Sequence, residues 1–201
     1  MMQQYQDLVS KESIKLHGVD FDWRQQTFQE YQVNAKEDVK FHVIICCSSI
    51  YYCGDLKKSL NSLYGKLKSG GLLLITMMSA ENGTGKLWQY MYKTLGKRGN
   101  CVTFSDVEEV CGTLNIPISE IQMIKKYCDI SPCFVAPQQL SVDGGLLLDF
   151  LTHTVNFAQN APAEYREDVL RFLRSEACSE RASDGEVIID VSNATIVIRR
   201  Q

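Results

Sequence analysis

The sequence predicts an α/β protein whose sheet is mostly parallel, with an antiparallel addition at its C-terminal end. Three observations carry this. Phe41-His42-Val43-Ile44-Ile45-Cys46-Cys47 and Leu72 to Met78 are short, nearly continuous apolar runs, the pattern of strands covered on both faces. An amphipathic stretch and a Gly-Gly pair lie between them, so strand, helix and strand make one βαβ unit, a crossover that is right-handed in about 98% of cases. Near the C-terminus Val187, Ile189 and Val191, then Ile196 and Ile198, alternate around Ser192-Asn193, which reads as a hairpin.

The elements follow in order. Tyr5, Leu8 and Val9 share one side of a helix within the first ten residues, and Ile14 to Phe21 is strand-like. Val39 to Ser48 is the first buried strand. Asp55 is placed to cap a helix whose Leu56, Leu60, Leu63 and Leu67 recur at helical spacing. That helix stops at Gly70-Gly71, where a positive φ is required, and the second buried strand follows. Thr84 to Leu95 sets Leu87, Met91 and Leu95 on one stripe, with Trp88 and Tyr92 beside it. Ser105-Asp106-Val107-Glu108 has capping-box spacing. Leu146 to Phe157 is an apolar helix, and Pro162 suits the first turn of another that faces Tyr165, Val169 and Phe172 inward.

Composition narrows the function classes. At 201 residues with 45% apolar and 22% charged residues, the chain buries roughly 70% of its unfolded surface and needs no disulfide or metal staple. The 21 basic and 24 acidic residues are interspersed, so no stripe exists to neutralise phosphates, and nucleic acid is excluded as an expected partner. The longest apolar run falls far short of the ~20 residues a membrane span needs. The start, MMQQYQDLVSKES, has no signal-peptide core, so a cytoplasmic location is expected. The eight cysteines show no CxxC pairing, against zinc or a disulfide framework; His17, His42 and His153 sit at no ligand spacing, so no metal is expected.

In an open α/β sheet the ligand crevice lies beyond the C-terminal ends of the strands. After the first strand come Ser48-Ser49-Ile50-Tyr51-Tyr52. Two adjacent tyrosines there read either as one core ring and one surface ring, or as an aromatic wall for a flat or cationic ligand. After the second strand come Asn82-Gly83-Thr84-Gly85-Lys86-Leu87-Trp88. The Gly-Thr-Gly-Lys resembles a phosphate loop, but Ala80 stands where its first glycine belongs and Leu87 where a magnesium-binding hydroxyl belongs. Trp88 alone reads as core.

Several separated segments carry a more specific signal. They are Tyr5-Gln6-Asp7-Leu8-Val9; Phe21 to Gln32, as F-x-W-x-x-x-T-x-x-E-Y-Q; Ile50-Tyr51-Tyr52 with Asp55; Lys86-Leu87-Trp88; Asp129-Ile130-Ser131-x-Cys133-Phe134; and Leu147-x-Asp149-Phe150-Leu151-Thr152. In this order they resemble the histamine N-methyltransferase family, class I S-adenosylmethionine-dependent enzymes of the cytosol, over essentially the whole chain. The family's Gly-rich cofactor turn has no counterpart here.

The resemblance implies a Rossmann-like class I methyltransferase sheet missing its first two strands, in a single incomplete domain over residues 1–201. It implies S-adenosyl-L-methionine as cofactor and a small amine as substrate, methylated on an imidazole ring nitrogen. The alternative is a non-catalytic relic or interaction domain. Thr27 and Phe28 fall at the adenine-contacting loop and Cys47 at a cofactor-contacting position. Ser48, Tyr51, Tyr52, Trp88 and Phe150 match the substrate pocket. Ser48 stands where the family has glutamine, Phe28 where it has a hydroxyl residue, and Thr84 where it has a second tryptophan. Val191 and Asn193 lie nearest its C-terminal asparagine. No catalytic acid or base is assigned, because the methyl donor is already activated. A complete fold implies a monomer; a sheet without its first strands exposes an edge and is expected to self-associate.

Overall fold

A computed structural model describes residues 2–12, 15–34, 39–97, 102–135 and 139–201. They divide into two compact units, Met1–Val39 and Lys40–Gln201.

The first unit holds helices α1 (Met2–Lys11) and α2 (Phe28–Asn34). Thr27-Phe28-Gln29-Glu30 is a capping box: the Thr27 N–H and hydroxyl both donate to Glu30 Oε2, at 2.6 and 2.9 Å, and Glu30 N–H donates back to Thr27 Oγ1 at 3.1 Å. The expected strand over Ile14 to Phe21 does not form among the described residues. Residues 15–18 turn instead, through Lys15 N–H and Leu16 N–H to Glu12 O and Val19 N–H to Leu16 O, with Gly18 at φ +81°. Residues 13 and 14 lie outside the described ones.

The second unit is built on strands β1 (Phe41–Cys47), β2 (Leu67–Met78), β3 (Ile118–Ile124), β4 (Tyr127–Asp129), β5 (Ser179–Arg181), β6 (Val187–Asp190) and β7 (Asn193–Arg199). A four-stranded sheet has the order β1-β2-β7-β3, and a second has the order β4-β6-β5. Only β1 and β2 are parallel; β7 runs antiparallel to both β2 and β3. The sheet is therefore mixed rather than mostly parallel. Its buried face pairs Leu73 with Ile198, Ile75 with Ile196, and Met77 with Ala194, all within 1% of full burial. On the opposite face the Thr76 and Thr195 hydroxyls meet at 3.0 Å.

The β1–β2 crossover is helix α3 (Leu56–Gly65), whose N-cap Asp55 accepts from Lys58 N–H at 3.0 Å. It ends five residues before the expected Gly-Gly stop, and Leu67 already opens β2. Gly70 (φ +74°) instead sits in an irregularity where the partner of β1 jumps from Leu67 to Leu72. Strand β1 is also less covered than its apolar sequence predicts. It pairs only with β2 among the described residues, and Val43 and Ile45 stay 49% and 66% exposed.

The antiparallel C-terminal addition is present, but β6 and β7 do not pair with each other. Each continues a neighbour of a bent ribbon: β7 lies on β3 and β6 on β4. At the bend, Val191 N–H donates to Lys126 O and Lys126 N–H to Ser192 Oγ. Ser192, whose type suggested a hairpin turn, thus ties the β6–β7 junction to Lys126 between β3 and β4.

Helices α4 (Gly83–Gln89), α6 (Val142–Thr152), α7 (Phe157–Asn160) and α8 (Ala163–Leu173) pack with β6 around Leu87, Met91, Leu148, Leu151, Phe157, Val169 and Ile189. A π-helical turn, Tyr90–Thr94, extends α4 toward the expected end at Leu95. Helix α5 (Phe104–Thr113) begins two residues before the expected box: Thr103, not Ser105, is the cap, paired with Asp106.

Candidate functional site

The crevice at the ends of β1 and β2 is formed by the loop after β1, the start of α4 and the end of α6. Ser48 leaves β1 with φ +46°, its N–H donating to Thr76 O at 2.8 Å. This reversal sends Ile50–Tyr52 into a 3₁₀ turn anchored by Ile50, which is 1% exposed. Tyr51 is thereby turned across the end of β2, where its Oη accepts from Met78 N–H at 2.5 Å. Its neighbour Tyr52 points outward, 70% exposed.

Helix α4 begins at Asn82, whose Oδ1 accepts from Gly85 N–H at 2.6 Å while its Nδ2 donates to Ser192 O. The glycines of the phosphate-loop-like stretch have a packing role. A Cβ on Gly83 would lie 2.3 Å from Cys178 O, and one on Gly85 2.1 Å from Ser79 O, so no other residue fits. One turn on, Trp88 is nearly buried, its Nε1–H donating to Leu151 O at 2.9 Å. Its ring meets Tyr51 edge-on at 5.7 Å, and Tyr51 meets Tyr52 edge-on at 6.2 Å. Such geometry sets the positive edge of one ring on the negative face of the next.

Of the expected substrate residues, the structure thus brings Tyr51, Tyr52 and Trp88 into one aromatic cluster. Ser48 begins the same loop. Phe150 lies on α6, 59% exposed, with no ring contact to the cluster. Thr84 sits one turn before Trp88, fully buried, and its hydroxyl is a buried group without a hydrogen-bond partner among the described residues. Cys47 ends β1 exposed, beside the same crevice. Thr27 and Phe28 belong to the other unit, where the Thr27 hydroxyl is engaged in capping α2.

One member of the cluster escapes a residue-by-residue reading. His153 ends α6 in the left-handed conformation (φ 49°, ψ 44°) and lies 4.2 Å from the Trp88 ring. The only signal for it is a histidine just past the last apolar residue of a helix. Burial, and then the charge of Lys97, push the His153 pKa below the ordinary histidine value. Lys97 donates to Thr152 O, to His153 O at 3.4 Å and to Thr154 Oγ1 at 3.3 Å, and burial lowers its own pKa.

No cluster of His, Cys, Asp or Glu among the described residues could take a metal ion. Cys46, Cys111, Cys133 and Cys178 are buried free thiols, with burial pushing Cys46 up to about 11 and Cys178 up to about 12, so they are inert as nucleophiles. No helix among the described residues is long and apolar enough to cross a membrane. A cavity of about 390 Å³ lies away from the aromatic cluster, between the start of α4 and β6, lined by Gly83, Lys86, Cys178 and Asp190 among others.

The fold has known counterparts. The YcgJ protein of Bacillus subtilis superposes with a TM-score of 0.57 at 14% identity, covering 96% of this chain and 77% of that one. A Bacillus halodurans protein described as a methyltransferase superposes with a TM-score of 0.50, also at 14% identity, covering 80% and 70%. With the β1-β2-β7-β3 order and a crevice at the strand ends, this is the class I methyltransferase fold. The sequence narrows it further. No family model matches, but histamine N-methyltransferase of Xenopus tropicalis is 32% identical over 98% of this chain and 67% of its own length. That of Danio rerio is 30% identical over 98% and 68%. The chain belongs to the histamine N-methyltransferase family. It spans about two thirds of the length of these relatives, and 66% of histamine N-methyltransferase A of Xenopus laevis.

Proposed function

We propose that this chain supplies the amine-binding side of an S-adenosylmethionine-dependent N-methyltransferase that acts on a small biogenic amine, methylating an imidazole ring nitrogen as for histamine. The observation that carries the reading is the Tyr51–Trp88 pair at the ends of β1 and β2, locked by Tyr51 Oη on Met78 N–H and Trp88 Nε1–H on Leu151 O. Two rings that cannot turn form a preorganised wall, which lowers the ordering cost of binding a flat ligand. Tyr52 and Phe150, both exposed, offer faces to the amine; a cation over such a face gains about 0.5–2 kcal/mol.

When bound, S-adenosylmethionine supplies a methyl group on a sulfonium sulfur that needs no further activation. Cys47, exposed at the end of β1, and the reversed backbone at Ser48 suit one flank of that cofactor. Thr27 and Phe28 are proposed as adenine contacts on the family resemblance, with Phe28 standing where the family has a hydroxyl residue. The protein's contribution to rate is alignment, for which well-oriented intramolecular reactions gain about 7–11 kcal/mol. No side chain of the cluster is assigned as acid or base.

The competing reading is a non-catalytic interaction domain, favoured by the exposed apolar edge of β1. Calorimetric titration of the 201-residue protein with S-adenosylmethionine, then with histamine, separates the two. Saturable heat for both, lost in the Tyr51→Ala, Tyr52→Ala double variant for histamine alone, supports the enzyme. A folded sample giving heat with neither supports the interaction domain.

A further inference from the structure

The Trp88 face that a substrate ring would use is already taken by a ring of this chain. We propose that the His153 imidazole occupies the amine-ring position on Trp88 and must swing out before a flat ring can stack there, making His153 the specificity-determining gate of the site. This rests on the amine-binding reading given above.

The two ring centroids are 4.2 Å apart with their planes tilted by 59°, so no flat ring fits between them. Trp88 is only 8% exposed. Its indole is pinned by Leu151 O, and Tyr51 is pinned by Met78 N–H, so neither fixed ring can turn to open the wall. His153 is the exposed member of the trio, and neither ring nitrogen is hydrogen-bonded among the described residues. Its backbone is held by His153 N–H on Phe150 O and Lys97 on His153 O, whereas its side chain has the tilted contact with Trp88 and no hydrogen bond among the described residues. A ring kept in place by one aromatic contact is displaceable by another ring of the same kind, and an imidazole ligand is of that kind.

Gating of this sort lowers apparent affinity by the fraction of molecules in which the gate is open. Removing one aromatic contact therefore tightens binding of an imidazole amine by about two- to tenfold. It also admits larger rings. The test is calorimetric titration of the full chain with histamine, in wild type, His153→Asn and His153→Phe. Asparagine tolerates the left-handed backbone and clears the Trp88 face; phenylalanine refills it. The expected result is tighter binding in H153N and no tightening in H153F. Equal or weaker binding in H153N with wild type still binding overturns the gate alone. Absence of binding in all three folded proteins overturns the gate together with the amine-binding reading. Binding in H153N but not in wild type supports the gate in its strongest form.

Discussion

Trp88 joins the fold to the proposed site, and its replacement measures that link. Its Nε1–H donates to the carbonyl of Leu151, the second-last residue of α6 and only 1% exposed. The last four carbonyls of a helix have no donor within the helix. Here Lys97 takes those of Thr152 and His153, and the indole takes that of Leu151. Trp88→Phe keeps a ring against Tyr51 but orphans a buried carbonyl, a loss of about 1–3 kcal/mol. Trp88→Ala also opens a cavity beneath Tyr51 and His153, bringing the loss to about 3–5 kcal/mol. At about 2–4 °C per kcal/mol for a chain of this size, Tm falls by roughly 2–12 °C and 6–20 °C respectively. Circular dichroism melts read this directly. A Phe variant within about 0.5 kcal/mol of wild type, the range of an ordinary surface change, would refute the capping role of the indole.

Three further outcomes follow from the same contacts. His153 has a folded pKa below its unfolded value of about 6.5, so the unfolded state binds more protons as pH falls through that window. Its contribution is complete above about pH 6.5 and declines below it, and the stability difference between wild type and His153→Asn shrinks as the solution is acidified in a series of urea titrations. Lys97→Met removes the neighbouring positive charge, so the His153 ring protons titrate in NMR at a higher pH, nearer the ordinary histidine value; an unchanged midpoint would assign the depression to burial alone. Ile45, 66% exposed on a strand that is an edge among the described residues, is expected to promote self-association. Ile45→Lys lowers the light-scattering mass at a given concentration, and a wild type that is already monomeric would count against the edge as the contact.

Local signals in the sequence were legible where one element explains its own residues. The βαβ unit, the Asp55 cap and the inward stripe of α8 each depend on spacing within a few residues. The misreadings have more than one cause. Ser192-Asn193 reads as a hairpin turn because turn residues flank alternating strands, yet β6 pairs with β4 and β5, and β7 with β3 and β2. Thr103 competes with Ser105 for one helix start, and no pattern within the segment decides between two adequate boxes. Of the site, the tyrosines and Trp88 were legible through family resemblance, whereas nothing in either sequence neighbourhood brings Trp88 and His153 together.

The Gly-Thr-Gly-Lys stretch shows how a motif can have the right residues for a different physical reason. A phosphate loop uses glycines so that backbone amides can surround an anion. Here Gly85 gives its amide to Asn82 Oδ1 and its missing Cβ to the carbonyl of Ser79, and Gly83 lets α4 lie against Cys178 and Ile189. Close approach at these two positions fixes the start of α4. One turn later that start puts Trp88 under Leu151 and against Tyr51. The glycines therefore act on the site at a distance, as the hinge point from which its least mobile wall is aimed, and their replacement is expected to move the wall before it alters any residue that touches a ligand.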